Sequence, residues 1–222
     1  MAIQVQLGNG SVVGGGGAAF LGANVQCKPI DHGTLGHYFL SLFVPIAVSQ
    51  AVNSRLLELR NAGGNWIIPT RVIIEVMPSG AVAVPYLGIV QMRRCTNFTA
   101  LDAANAATPT AGVVKTVMPG APGGAQLAVV NAPGASAGMT GGTMTLQASS
   151  VGSVMAWIAS VSSTTRPVRK NLVGDIVDGV HPIVLTNNEG FVIENAALGS
   201  PTSNQVAVLI ELAWAEVPVN GY

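Results

Sequence analysis

The sequence predicts an all-β fold. Short runs rich in Val, Ile, Leu and aromatic residues recur between clusters of Gly, Pro and Asn, the pattern of strands joined by turns. No stretch carries a sustained 3.6-residue apolar period of the kind that marks an amphipathic helix. The end of the chain is the clearest case. Val206, Val208, Ile210, Leu212 and Trp214 share one face by period-two counting, and Ala207, Leu209, Glu211, Ala213 and Ala215 share the other. Neither face is strongly polar, so this strand needs cover on both sides. In so uncharged a chain, part of that cover is expected from another subunit.

Taken in order, residues 1–37 read as a Gly-rich N-terminal arm. Gly14, Gly15, Gly16 and Gly17 invite a phosphate-loop reading, but no Lys-Ser or Lys-Thr follows and no βαβ unit surrounds them. A flexible or strand-crossing segment fits them better. A single domain is expected over residues 38–217. It opens with runs at Tyr38–Val48 and Leu56–Arg60, a turn at Asn61–Asn65, and runs at Arg71–Val76 and Ala81–Met92, a meander or Greek-key set. Thr99–Ala107, short and Ala-rich, is the best helix candidate.

An irregular Ala/Gly-rich insertion covers about residues 100–142, and 108–142 is its least structured part. A structureless loop of that length is unusual inside a compact domain. It is therefore either a set of short strands joined by Pro-Gly turns or a projection ordered by its neighbours. Thr143–Gln147 is strand-like, and Met155–Ile158 is strand or apolar loop. From His181, two strands are expected around a turn at Asn187, Asn188, Glu189 and Gly190, followed by the long final strand. Residues 218–222 form a short tail.

Charged residues make up 9% of the chain, against roughly 25% in ordinary soluble domains. The formal net charge is zero, so little keeps copies apart, and self-assembly is the economical expectation. The charges are also sorted. Residues 1–170 hold all ten Lys and Arg with only Asp31, Glu58, Glu75 and Asp102 as acids, while residues 171–222 hold six acids and no Lys or Arg. The two parts carry +6 and −6. The acidic C-terminal strands pair either with basic strands of the same chain or across a subunit contact, where complementary charge sets register and partner choice.

Several function classes are disfavoured. The apolar run Ala81–Val90 contains Pro85 and Gly88 and is about half the length of a helical membrane span. The N-terminus lacks the basic and apolar regions of a secretory signal. The basic groups Arg93–Arg94 and Arg166, Arg169, Lys170 are too few for strong phosphate neutralisation and are expected in ion pairs or a solvated edge. No direct nucleic-acid or membrane partner is therefore expected. His32 and His37 near Asp31 match no standard metal spacing and read as loop hydrogen-bonding groups. His181, before Pro182, reads as a surface or subunit-contact residue. Asn187, Asn188, Glu189 and Glu194 lack the dense Asp spacing of a calcium loop. No nucleophile elbow or zinc-protease motif is present. Asn97-Phe98-Thr99 matches a glycosylation acceptor but has no secretion signal beside it. Cys27 and Cys95, far apart in sequence, are expected unlinked. The reading is a non-enzyme with no catalytic, cofactor-binding or metal-ligating residue. Trp66, Trp157 and Trp214 sit in apolar runs and are expected buried or interfacial.

The blocks LLELRNAGGNWIIPTRVIIEV (56–76), HPIVLTNNEGFVIENA (181–196) and VAVLIELAWAEV (206–217) resemble virion structural proteins of tailed bacteriophages. Those carry an LxELRN strand, an Ala/Gly/Thr-rich middle, a hairpin around Asn-Glu-Gly and a final strand with Trp between acids. Here that strand reads Glu211-Leu212-Ala213-Trp214-Ala215-Glu216, with one carboxylate displaced. The resemblance spans roughly residues 40–217 and implies a β-sandwich or jelly-roll-like subunit. It further implies a capsid decoration (cement) protein that stabilises the phage head, with a homotrimer favoured and the major capsid protein or other virion proteins as partners. The location implied is the virion, assembled in the host cytoplasm. A tail, neck or fibre-associated structural protein is the alternative, and a carbohydrate-binding β-sandwich module is a further one.

Overall fold

The computed structural model describes residues 5–6, 12–13, 36–46, 50–80, 84–109, 113–115, 123–130, 138–158, 167–173, 182–196 and 206–219. The chain divides into two units, Met1–Asp31 and His32–Tyr222. In the first, β1 (Val5–Gln6) pairs antiparallel with β2 (Val12–Val13). The Gly14–Gly17 run, Cys27, Asp31, His32 and His181 lie outside the described residues.

The second unit is all-β, two antiparallel sheets packed face to face, with no helix among the described residues. Its strands are β3 (His37–Ile46), β4 (Ser54–Asn61), β5 (Trp66–Pro78), β6 (Tyr86–Ala100), β7 (Ala106–Ala107), β8 (Val113–Lys115), β9 (Ala125–Val130), β10 (Thr143–Leu146), β11 (Gly152–Ile158), β12 (Val168–Asn171), β13 (Gly190–Asn195) and β14 (Val206–Val217). One sheet runs β12-β5-β14-β3-β8. The other runs β6-β13-β4-β9-β7, with β10 and β11 placed end to end along the free side of β6.

The connectivity is a long antiparallel ribbon wound over both sheets. Strands β3 to β6 go out and β11 to β14 return, pairing β3 with β14, β4 with β13, β5 with β12 and β6 with β11. Successive rungs fall alternately in the two sheets. Each return strand of the inner positions also pairs with a second outgoing strand, β14 with β5 and β13 with β6. The Ala/Gly-rich insertion leaves the ribbon at its closed end. Its described parts are short strands, β8 added to the free side of β3 and β9 to that of β4.

The core forms because the alternating apolar residues of both sheets face inward. Val206, Val208, Ile210, Leu212 and Trp214 are fully buried with Leu40, Ile46, Leu57, Leu59, Ile74, Val90, Phe191 and Ile193. Each such side chain contributes about 1.5–3 kcal/mol relative to an exposed one. A bulge between Ala213 and Trp214 shifts the β14–β5 register while the β14–β3 ladder continues unbroken. Trp214 therefore stays inward and stacks on Tyr38, ring centroids 5.3 Å apart at 19°. The outer face of β14 is covered partly by its own chain, since Ala215 and Val217 pack with Ile68 and Val184.

Three expectations are corrected. Thr99–Ala107 is not helical: β6 runs through Ala100, and the Asp102 carboxylate then accepts from the backbone N–H groups of Ala104 (2.8 Å) and Asn105 (3.1 Å). That local side-chain turn competes with helix formation. Residues before the Asn187–Asn188 turn are not a strand but touch the sheet at one bridge, Ile67 with Leu185. The run expected at Ala81–Met92 is also displaced toward the C-terminus, because β6 begins at Tyr86 and continues to Ala100, fifteen residues in all.

Candidate interaction surface

The sorted charges meet inside the chain. Arg94 donates to Glu189 (2.8 Å), Arg93 to Glu194 (3.2 Å) and Arg71 to Glu211 (2.6 Å), and Arg169 bridges Glu211 (2.9 Å) and Glu75 (3.6 Å). Of the two readings of the acidic C-terminal strands, pairing within one chain holds for these three acids. Glu216, buried, accepts instead from the backbone N–H groups of Gly123 (2.8 Å), Gly124 (3.2 Å) and Ala125 (3.0 Å), tying β14 to the start of β9. Arg60 donates to Gln126 and Asn188.

The residues around Asn187 build a turn. Glu189 Oε2 accepts from the Thr186 N–H (2.8 Å) and hydroxyl (2.9 Å), and Asn188 adopts φ 58°. Burial alone would raise the Glu189 carboxyl, but these donors and Arg94 outweigh it and hold the group below its ordinary value. Gly190 is required where the turn enters β13, because a Cβ there would lie 2.1 Å from the Leu59 carbonyl oxygen and 2.7 Å from the Phe98 ring. Glu194 lies at the far end of the same strand, so Glu189 and Glu194 are separate structural anchors. His37 Nε2 sits 3.0 Å from Thr70 Oγ1, and burial pushes its pKa down. Cys95 is a free, buried thiol whose pKa burial pushes up to about 12, the behaviour of an inert packing residue.

A second ionic group lies under the insertion, against the outer face of β4. Arg55 Nε is 2.9 Å from Glu58 Oε1, and an Arg55 Nη2 is 3.9 Å from Asp102 Oδ2; all three side chains are almost wholly enclosed. Glu58 Oε2 accepts from the Asp102 N–H (2.9 Å), and Asp102 Oδ2 accepts from the Gly141 N–H (2.6 Å). Arg55 also donates to the Gly141 carbonyl. Among the described residues, no three His, Cys, Asp or Glu side chains come together in a way that could hold a metal ion.

Several large apolar side chains remain exposed. On β11, Val154, Ala156 and Ile158 point into the core, which turns Met155 and Trp157 outward at 64% and 62% exposure. Trp157 lies in register with Leu87 and Met155 with Ile89 on β6, so the four form one apolar strip at the sheet margin. Leu87 is exposed and Ile89 partly so. On the other sheet, Phe43 is 56% exposed and in register with the half-buried Leu209. Of the three tryptophans, Trp214 is buried and Trp66 half-buried, whereas Trp157 is open. The alternation in Gly152–Ile158 carried the signal for that outward placement. The arrangement suits non-covalent contact with an apolar or aromatic-stacking partner, since aromatic rings dominate such surfaces.

No protein-family model, curated protein or solved structure matches this chain.

Proposed function

We propose that the protein is a non-enzymatic structural protein of a bacteriophage virion, a capsid decoration (cement) protein acting through subunit contacts. The observation that carries the reading is the strand order. An outgoing arm β3–β6 and a return arm β11–β14, paired rung by rung and alternating between two sheets, are read as a jelly roll with additions at the closed end. Viral capsid domains use that architecture, as do lectins and cupins, so the order favours the reading without defining it. The three sequence blocks that resemble virion proteins fall on β4–β5, β13 and β14, which are central strands of both sheets. The surface adds support: described arginines are engaged internally, and apolar side chains stand out at Met155, Trp157 and Phe43. The partners proposed are copies of itself, as a homotrimer, and the major capsid protein of a particle assembled in the host cytoplasm.

Cryo-electron microscopy of the intact particle tests this. Density for the chain over seams between capsid subunits is the expected result. Density confined to tail or neck moves the assignment to the tail-associated alternative, and absence from the particle overturns the virion reading. The open Trp157 favours one second reading, a carbohydrate-binding module, because an exposed ring stacks on sugars. Glycan-array binding that is lost in Trp157→Ala, from a protein absent from particles, would establish it.

A further inference from the structure

Among the described residues, the Arg55–Glu58–Asp102 group has one cation for two carboxylates, in an almost wholly enclosed place. The side chains are 7%, 0% and 1% exposed. Among the described residues, every segment packed against Glu58 leaves that imbalance standing. On its own strand it meets only Arg55, and on the loop after β6 it meets Asp102. Its register neighbours, Val192 on β13 and Ala128 on β9, carry no charge. One rung along, Glu194 faces Arg55 but is matched by Arg93. Cys95 on β6 is an uncharged thiol, and Arg94 near it is matched by Glu189. With both carboxylates ionised, the enclosed group is thus one negative charge in excess among the described residues.

The two carboxylates are not equivalent. Asp102 accepts from the N–H groups of Ala104, Asn105 and Gly141, which outweigh its burial and hold it below the ordinary aspartate value. Glu58 has a single backbone donor, and burial dominates, raising it. An arriving proton therefore goes to Glu58. Both acids also hold the insertion, through Asp102 N–H and Gly141 N–H, and Arg55 reaches Gly141 O and Met144 Sδ (3.4 Å).

We propose that this group is a proton-operated clasp: one proton taken up at Glu58 balances the buried charge and tightens the segments 101–105 and 138–146 against the outer face of β4. The sign follows from linkage. A carboxyl raised in the docked state binds its proton more tightly there than when exposed, so docking gains as pH falls through the raised value toward the ordinary one and weakens as pH rises. Mild acid thus strengthens this attachment, the opposite of ordinary acid loosening.

Native-state amide hydrogen exchange on the full chain at pH 7.5 and pH 5.0, corrected for intrinsic exchange, reads the clasp at Asp102, Ala104, Asn105 and Gly141. Protection is expected to rise at the lower pH, by less than the limiting factor of about tenfold for each unit that Glu58 is raised, because pH 5.0 lies above the ordinary value of 4.5, and to become pH-independent in Glu58→Gln. Unchanged or lower protection at pH 5.0 in the wild type overturns the proposal, as does a Glu58→Gln protein that responds like wild type. A carboxyl-carbon NMR titration of Glu58 in the wild-type chain needs no variant. A midpoint above the ordinary glutamate value supports the clasp, and one at or below it overturns the clasp.

Discussion

Trp214→Ala tests whether β14 is the backbone of the core. Trp214 is fully buried, at the centre of the sheet between β3 and β5, and its ring stacks on Tyr38. Truncating a buried Trp costs about 3–5 kcal/mol, and loss of an aromatic pair adds about 1 kcal/mol. An opposing effect is visible: the indole Nε1 has no hydrogen-bond partner among the described residues. Relieving such an orphaned donor returns about 1–2 kcal/mol. The net expectation is a loss of about 2–5 kcal/mol, enough at its upper end to unfold a domain of marginal stability. Trp214→Phe separates the contributions, because it keeps a ring against Tyr38 and removes the orphaned N–H. Its loss should stay below about 2 kcal/mol. Urea unfolding followed by far-ultraviolet circular dichroism measures both. A Trp214→Ala loss under about 1 kcal/mol, or a Trp214→Phe loss equal to it, would refute the reasoning.

Gly190→Ala should cost more than about 3 kcal/mol and weaken the β4–β13 ladder, because its methyl collides with the Leu59 carbonyl and the Phe98 ring; the urea midpoint measures it. Glu189 has a lowered pKa, so its stabilisation is complete above the ordinary value of 4.5 and is lost as pH falls through the lower folded value. The difference in thermal midpoint between wild type and Glu189→Gln should accordingly close as pH is lowered through that range. Trp157→Ser should leave the unfolding free energy from urea titration within about 0.5 kcal/mol of wild type, since the residue is an exposed surface position. It should reduce self-association in sedimentation velocity, and an unchanged sedimentation profile would remove Trp157 from the contact surface.

The strand positions were legible because alternation is a local property. The inward face of β14, the β4 run and the turn at Asn188 can all be read from neighbouring residues. What was not legible depended on distant partners. Asp102 could start a helix or close a turn, and the Gly141 N–H, thirty-nine residues away, helps decide for the turn. Residues 182–186 have a strand-like composition, but there Val184 serves as cover for Ile68, Ala215 and Val217. The Ala/Gly-rich middle shows why length alone misleads: its described pieces gain order by extending sheet margins that the rest of the chain supplies. The apolar strip at Trp157 was hidden for a similar reason, since its partners Leu87 and Ile89 come from another strand.

The sorting of charge along the chain acquires a physical meaning once the ribbon is known. A chain that is net basic in its outgoing arm and carries only acids as charged residues in the β13 segment and β14 places opposite charges on adjacent strands, as in Arg93–Glu194 and Arg94–Glu189 between β6 and the β13 segment and Arg71–Glu211 between β5 and β14. A one-residue slip would turn these groups toward the opposite face, so the pairs help fix register. Their strength should follow burial. Glu194 is fully enclosed and Arg93 18% exposed, while Arg71 is 45% exposed beside Glu211 at 15%. Glu194→Gln should therefore cost toward the lower end of about 3–5 kcal/mol, because Arg93 keeps its bond to the Gln147 carbonyl, and the loss should persist in 1 M salt. Glu211→Gln should cost no more than about 1 kcal/mol, and that loss should shrink in 1 M salt, where screening acts over about 3 Å. Urea titrations of both variants at low and high salt decide the matter. Equal losses, or a Glu194 loss that disappears in salt, would mean that the rungs are set by apolar packing alone and that the charge sorting serves some other contact.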